Sequence, residues 1–329
     1  MHEEQHLLSL LRRQKGYVSG SILAKETGIS KSKISKRIGL LRRYGYHIES
    51  RCKRGYRLAG ETDLPLPWEL AKVLDTLLVG KDKIIYRHTT ESTQNLAISL
   101  AEKDPSSDGT VIIAGQQTSG RGRENRKWLS PKGGIWLSVI LRPRISACKI
   151  TILPFAAALA VCEAINKTTQ LNPKLRWPND IMIEGKKVAG ILIDISMEAE
   201  LINYAVVGIG LNVNVDSSAI SALLEKEIKV TSLSDELGQK MSIIGLTKEI
   251  LKRLEYHYMQ LKNDDDTPHA IIEQWKKSSD IFHRKVQLIH NDLIIEGVAV
   301  DVNDDGSLLV RTTNCDSFKV VASDVRVRY

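Results

Sequence analysis

Between Gln116 and Pro131 the chain reads QQTSGRGRENRKWLSP. Arg121, Arg123, Arg126 and Lys127 surround Gly120 and Gly122, and Trp128 closes the run. Guanidinium groups give fixed, bidentate donors to carboxylate or phosphate. Glycine lets the backbone approach closely, and an indole can seal a site against water. The composition suits a loop that folds over an anionic ligand. Taken alone, an Arg/Gly loop is more often a solvated basic surface. A dinucleotide-binding turn fits poorly, because that motif needs a third glycine and a helix opening directly after it. Asn125 stands at the third position, and Trp128-Leu129-Ser130-Pro131-Lys132-Gly133-Gly134 cannot begin a helix. No Gly-Lys-Ser/Thr follows at Walker-loop spacing.

A second run, RWPNDIMIEGKKVAGILI, places Asn179 and Asp180 directly after a strand and Lys187 at the start of another. Lysine at a hairpin is usually a solubility device, but Val188-Ala189-Gly190-Ile191-Leu192-Ile193 is apolar, so this charge stands at the edge of a core. Trp177-Pro178-Asn179-Asp180 also reads as a turn signal. Gly208-Ile209-Gly210-Leu211-Asn212-Val213-Asn214 is a glycine-broken strand, which suits close approach of a ligand. Ser92-Thr93-Gln94 precedes a helical run over Leu96–Lys103, where Ser92 or Thr93 serves as an N-cap.

These segments sit in a mixture of strands and helices. Lys83–Tyr86, Thr110–Ala114, Gly134–Leu141, Lys174–Trp177, Ile181–Ile183, Lys187–Ile195 and Tyr204–Val215 read as strands, and Ile150–Asn166 as an alanine-rich helix. There is no regular βαβ rhythm, so the fold class is α+β. The length predicts two or three domains. The longest apolar stretches, such as Phe155 to Cys162, fall short of a membrane span. No signal peptide is visible in Met1-His2-Glu3-Glu4-Gln5. Cys52, Cys148, Cys162 and Cys315 lie far apart, which argues for reduced, cytoplasmic thiols and against a zinc site.

The charge is uneven. Residues 1–60 carry fourteen Lys/Arg against four acids, a balance of +10, while the whole chain is +8. The basicity therefore belongs to an N-terminal module and points to nucleic acid. A helix over Gln5–Arg13, a second through Lys25 capped by Ser19 or Ser21, a break at Gly28 and a third over Lys33–Tyr44 capped by Ser30 or Ser32 form a helix-turn-helix pattern. The last helix places Ile34, Ile38 and Leu41 on one face and offers Ser32, Lys33, Ser35, Lys36 and Arg37 to the major groove. The hairpin turning at Cys52-Lys53-Arg54-Gly55 is a wing whose Lys53 and Arg54 suit phosphate. Pro65 and Pro67 punctuate a linker, and Glu69–Leu78 suggests a connecting helix.

In order, Ser92-Thr93-Gln94, the GRGR run with its RKW end, RWPND, GKKVAGILI and GIGLNVN resemble the bifunctional biotin–protein ligase and biotin-operon repressor family. The resemblance extends over nearly the whole chain. It implies a winged helix-turn-helix domain at 1–62, a linker at 63–80, a class II synthetase-like biotin/lipoate ligase domain with a mixed sheet at 81–268 and a C-terminal SH3-like β-barrel at 269–329. By family position, Ser92, Thr93, Gln94 and Gln117 line the biotin site. Arg121, Gly122 and Arg123 lie in the loop that orders over biotin and the adenylate. Lys187 contacts the biotin carboxylate and the α-phosphate. Trp128, Asn179 and Asn212 meet the nucleotide, and Asp180 lies at the reaction centre.

The implied reaction joins biotin to ATP, with Mg2+, as biotinyl-5'-AMP and pyrophosphate. Lys187, Arg121 and Arg123 offset the repulsion between two anions. A lysine of biotin carboxyl carrier protein, as in acetyl-CoA carboxylase, then takes the biotinyl group, with Asp180 orienting or deprotonating the amine. The adenylate-bound homodimer grips operator DNA, and no membrane is involved. Asn125 stands where the family usually has glycine, so an altered loop rate or altered retention of the intermediate, rather than inactivity, is expected. The usual glycine before the first C-terminal strand is also absent from Ile281-Phe282-His283-Arg284. In the C-terminal segment, short strands at Lys285–Ile289, Ile294–Val302, Ser307–Val310 and Ser317–Val321 are separated by turns at His290-Asn291-Asp292 and Asn303–Gly306. A DNA-binding biotin sensor with a decayed active site, and lipoate as the acid, are the competing readings.

Overall fold

The structure, a computed structural model, describes every residue except 1, 15, 199–200, 224–228, 264–265, 291–292, 313–315, 323–325 and 329. Cys315 and the centre of the expected His290-Asn291-Asp292 turn lie outside the described residues. The chain divides into two compact units, Met1–Glu69 and Leu70–Tyr329.

The first unit holds helices His2–Arg13, Gly20–Thr27 and Lys31–Arg43 and a hairpin of strands His47–Arg51 and Gly55–Gly60. Of the alternative caps, Ser19 and Ser30 are the ones used, accepting from the N–H of Ile22 and Lys33. Gly28 ends the second helix at φ 71°, a left-handed position that favours glycine. Leu7, Leu11, Leu23, Ile34, Ile38 and Leu41 are buried together. The wing's Gly55 has φ 96°, and a Cβ there would lie 1.9 Å from the Val18 carbonyl oxygen. The expected helix over 69–78 is a single turn, Pro67–Leu70. The segment leading to it packs on this unit. Arg12 reaches Glu61 at 2.8 Å and Glu69 at 2.9 Å. The Tyr46 hydroxyl donates to Glu69 at 2.5 Å and accepts from Trp68 Nε1 at 2.7 Å.

In the second unit, a sheet of seven described strands runs in the order Ile84–Arg87, Val111–Ala114, Ile135–Leu141, Leu201–Leu211, Lys186–Glu198, Asp180–Ile183, Lys174–Arg176. The first pair is parallel and the rest antiparallel. Alternation assigns the faces. Ile112, Ile140 and Val206 pack with Ala97 and Ala101 of helix Thr93–Lys103. Val111, Ile113, Val139, Leu141 and Val207 join the main core with helices Leu153–Thr168 and Ile243–Asn263. Helix Ile243–Asn263, which is not among the elements expected from sequence, buries Leu246, Ile250, Leu254 and Leu261 on one face. The segment Ala147–Thr168 is long and apolar enough to cross a membrane, but it is mostly buried in this core. Within it, burial pushes the Cys162 thiol up to about 12, which removes its reactivity. Burial also raises the neighbouring Glu163 carboxyl, but His257 and Arg253 outweigh that and hold it below the usual range.

The C-terminal strands form an antiparallel sheet in the order Ser317–Val320, Leu308–Thr312, Leu293–Val302, Lys285–His290, Arg326–Arg328. Val286, Leu288, Ala299, Val302, Leu308 and Val310 belong to the same core as the seven-stranded sheet. Trp177 Nε1 donates to the Gly306 carbonyl at 3.0 Å. Asp304-Asp305-Gly306 is therefore a turn that docks on the end of strand Lys174–Arg176. His283 holds φ 64° in the Ile281–Arg284 segment, from which the family's usual glycine is absent.

Glu255, on helix Ile243–Asn263, accepts from three successive backbone N–H groups, Leu77, Leu78 and Val79, at 2.8, 2.6 and 2.8 Å. Hydrogen bonds to a charged acceptor contribute about 1.5–3 kcal/mol each. Glu255→Gln keeps the shape and one neutral acceptor. It should lower stability by about 1.5 kcal/mol, read as a fall in the melting temperature of about 3–5 °C. An unchanged melting temperature would show that this clasp is not holding the segment.

Candidate active site

A cleft of about 210 Å³ opens over the middle strands of the seven-stranded sheet, Ile135–Leu141, Leu201–Leu211 and Lys186–Glu198. Its position follows from where the chain leaves regular structure. The Ser92 hydroxyl accepts from the N–H of Asn95 and starts helix Thr93–Lys103, which presents Thr93 and Gln94 to the cleft. The Arg/Gly run is not an open loop. Gln117–Arg121 and Lys127–Ser130 pair as a two-stranded hairpin. Its turn is tied by Gly122 N–H to the Arg126 carbonyl at 2.7 Å and Arg126 N–H to the Arg123 carbonyl at 3.0 Å. Glu184 and Gly185, both at positive φ, make the tight turn that returns the chain into strand Lys186–Glu198. That turn sets Lys187 beside Asp180.

One end of the cleft is lined by uncharged polar side chains, Ser92, Thr93, Gln94, Gln117 and Ser138. The Gln117 side-chain carbonyl accepts from Thr93 N–H at 2.7 Å and from its hydroxyl at 3.1 Å. Gln117 Nε2 donates to Ser130 at 2.8 Å. Gln94 Nε2 donates to Asp194 at 2.9 Å and to the Val206 carbonyl at 3.0 Å. The Ser138 hydroxyl lies 2.9 Å from both Thr93 Oγ1 and Gln94 Oε1. Ser92, Thr93, Gln94 and Ser138 are all buried. A fully bonded, buried polar network of this kind holds its side chains in one arrangement.

The other end is cationic. Lys187 Nζ sits 2.5 Å from Asp180 Oδ1 and 5.2 Å from the centroid of the Trp128 ring. Arg121 donates to Asn95 at 3.0 Å and approaches both carboxylate oxygens of Asp194 at 3.4 Å. Arg123 reaches the Ala322 carbonyl of the C-terminal segment and Asn179 Oδ1 at 3.5 Å. Asn179 is fixed in turn by its amide on the Ile191 carbonyl at 2.7 Å. Trp128 lies on the glycines of two adjacent strands: a Cβ at Gly210 would be 2.5 Å from its Nε1 and one at Gly190 3.0 Å from Cζ3. That Nε1 is buried with no hydrogen-bond partner. Asn212 is 2% exposed. Its amide donates to the Thr231 carbonyl at 3.0 Å, while its Oδ1 has no partner. Buried polar atoms left without partners are costly, so the amide oxygen of Asn212, a residue that lines the cleft, marks a place for a ligand, whereas the Trp128 indole N–H packs on Gly210.

Ser92, Thr93, Gln94, Gln117, Arg121, Gly122, Arg123, Trp128, Asn179, Asp180, Lys187 and Asn212 all line this cleft. The partners Asn95, Ser130, Ser138 and Asp194 were not singled out from sequence. Ser138 and Asp194 carried one signal, a polar residue inside an apolar strand. In the other unit, Ser32, Lys33, Ser35, Lys36, Lys53 and Arg54 are exposed. Arg37 differs. Its guanidinium is tied to Glu3 at 2.6 Å and Glu4 at 2.5 Å, so it clamps helix Lys31–Arg43 to helix His2–Arg13.

Residues 86–212 match the Biotin/lipoate A/B protein ligase family, and residues 3–57 match an HTH domain family. The chain is similar to the Bifunctional ligase/repressor BirA of Bacillus spizizenii, with 34% identity over 297 residues and 90% of each chain covered. It is also similar to the protein of that name from Bacillus subtilis, with 32% identity and 94% of each chain covered. The biotin protein ligase from Aquifex aeolicus, solved in complex with biotin and ATP, superimposes with a TM-score of 0.62 and 27% identity. That match covers 75% of this chain and 99% of the Aquifex chain.

Proposed function

The chain belongs to the bifunctional biotin–protein ligase and repressor family, and from that membership we propose that its cleft activates biotin with ATP and passes it to a carrier-protein lysine. The observation that carries this reading is the division of one cleft into a bonded neutral end and a cationic end. A ureido ring needs neutral donors and acceptors. A carboxylate meeting a triphosphate needs cations.

Ser92, Thr93, Gln94 and Gln117 hold the ring of biotin. Lys187, Arg121 and Arg123 draw its carboxylate towards the α-phosphorus, and the Gly122 backbone lets the hairpin approach. Asn212, Asn179 and Trp128 hold the nucleotide, with the free Asn212 Oδ1 suited to an amino group of the base. Mg2+ enters as the counter-ion of the ATP phosphates, as part of the substrate. Carboxylate oxygen attacks phosphorus, pyrophosphate leaves, and a mixed anhydride forms that the hairpin must shield from water. The amine of the acceptor lysine then attacks the anhydride carbonyl, and AMP leaves. Asp180 orients that amine or takes its proton.

The test is the mass of an apo biotin carboxyl carrier domain after incubation with the full chain, biotin and MgATP. One added biotin is the expected result. Biotin binding without transfer would leave a sensor, and no biotin binding would redirect the reading to lipoate or another acid.

The N-terminal unit is proposed to bind operator DNA as part of a homodimer whose formation depends on the adenylate. Exposed Lys36 and the clamped Arg37 should behave differently. Lys36→Ala should weaken binding to duplex DNA and lower the slope of log K against log salt by about one. Arg37→Ala should lower the stability of the unit by about 1 kcal/mol before it changes the salt slope. Equal slope changes in the two variants would return Arg37 to the DNA-contacting set.

A further inference from the structure

Glu124 is an acid among the cations of the hairpin. It lines the cleft with Arg121, Arg123, Arg126 and Lys127. Its backbone is left-handed, φ 53° and ψ 37°, a conformation that non-glycine residues seldom hold unless their surroundings impose it. The two hydrogen bonds across 122–126 impose it here. The result is an ion pair between Glu124 Oε2 and Arg126 Nη2 at 2.6 Å, with both side chains 45% exposed. Arg121 and Arg123 are turned to Asn95, Asp194, Asn179 and the Ala322 carbonyl. Arg126 is turned to an acid within its own turn.

We propose that Glu124 is a positioning residue acting through Arg126: an internal counter-anion that must be displaced before Arg126 can meet a phosphate, and that shortens the stay of nucleotide in the cleft. The proposal rests on the reading that this cleft binds ATP and an acyl adenylate. When phosphate replaces the carboxylate on Arg126, one ion pair is exchanged for another, so the guanidinium adds less to retention than an unpaired one. The released carboxylate stays within the same turn and repels the phosphate. Exposed ion pairs are individually weak and screened by salt, so the effect is a few-fold one that fades at high ionic strength.

The experiment compares wild type, Glu124→Gln, Glu124→Gly and each variant combined with Arg126→Gln, using the full chain. Calorimetry gives the Kd of MgATP, and biotin-dependent pyrophosphate exchange gives KM and kcat. Glu124→Gln should lower Kd and KM for ATP about three- to fivefold at low salt, with kcat moving less than KM. Raising the salt to about 0.5 M should remove most of the gain. In the Arg126→Gln background the Glu124 substitution should have no effect. Glu124→Gly removes both the charge and the left-handed constraint. If only Glu124→Gly tightens binding, backbone strain is the cause and the proposal is overturned. It is also overturned if Glu124→Gln leaves KM unchanged in an enzyme that exchanges normally, or if its effect persists without Arg126. A wild-type chain that neither binds MgATP nor exchanges pyrophosphate would instead overturn the functional reading on which the proposal rests.

Discussion

Lys187→Ala should reduce biotin-dependent pyrophosphate exchange by about 10³-fold, the scale on which preorganised charge acts in a shielded site, while leaving the fold intact. The residue is held by its backbone on both sides: its N–H donates to the Lys229 carbonyl at 2.8 Å, and its carbonyl accepts from Thr231 at 2.9 Å. The ammonium therefore starts from a fixed point. It stands between Asp180 at 2.5 Å and the Trp128 ring, where a carboxylate and a phosphate would have to meet. Alanine removes that charge and also leaves the Asp180 carboxylate facing both anions. The double variant Lys187→Ala with Asp180→Asn should consequently recover about tenfold of the loss. Asp180→Asn alone should slow transfer to the carrier lysine more than adenylate formation. Exchange within tenfold of wild type in Lys187→Ala would mean that the arginines alone offset the anionic charge. Normal transfer in Asp180→Asn would remove Asp180 from the second step.

Sequence reasoning reached the site through residue types that are unusual for their surroundings. Arginines beside glycines, a lysine opening an apolar strand, and an asparagine ending one were each visible, and they line one cleft. What the sequence concealed was the partnership between side chains far apart in the chain. Arg121 and Asp194 are brought together only when the hairpin folds over strand Lys186–Glu198. Nothing near Arg37 in sequence announces that Glu3 and Glu4 claim it. Glycine proved an imperfect guide to left-handed backbone. Asn125 stands at the family's glycine position, but Glu124 is the residue at φ 53°, and His283 also has positive φ beside the C-terminal sheet. Hydrogen bonds, within the 122–126 turn for Glu124 and from the His283 N–H to the Ala299 carbonyl, can impose such angles on residues whose intrinsic preference is against them. Helix Ile243–Asn263 carries a clear apolar periodicity but no residue pattern that points to chemistry, so it stands apart from the motifs around it.

Gly210→Ala should lower kcat/KM for adenylation by about 10²-fold and hasten hydrolytic loss of the adenylate, with little change in stability. Gly210 and Gly190 are directly paired on neighbouring strands, and together they make a flat floor. The Trp128 indole lies on that floor, and its backbone is paired with Gly120 across the hairpin. A methyl at 210 would come within 2.5 Å of Nε1 and 2.6 Å of Cε2. A rigid ring cannot yield at those distances, so the indole and the hairpin carrying it must lift. Arg121, Arg123 and Arg126 move with the hairpin, and displacement by about 1 Å of groups proposed to meet the substrate's anions costs on the order of 10²-fold. At Gly190 the nearest Trp128 atoms would be 3.0 and 3.4 Å away, so Gly190→Ala needs only a small shift and should cost about tenfold. The order of the two variants is therefore set by the ring and not by the strands. If the indole is the only group displaced, Gly210→Ala should cost nothing further in a Trp128→Ala background. Independent, multiplying losses would show that the methyl obstructs the ligand itself.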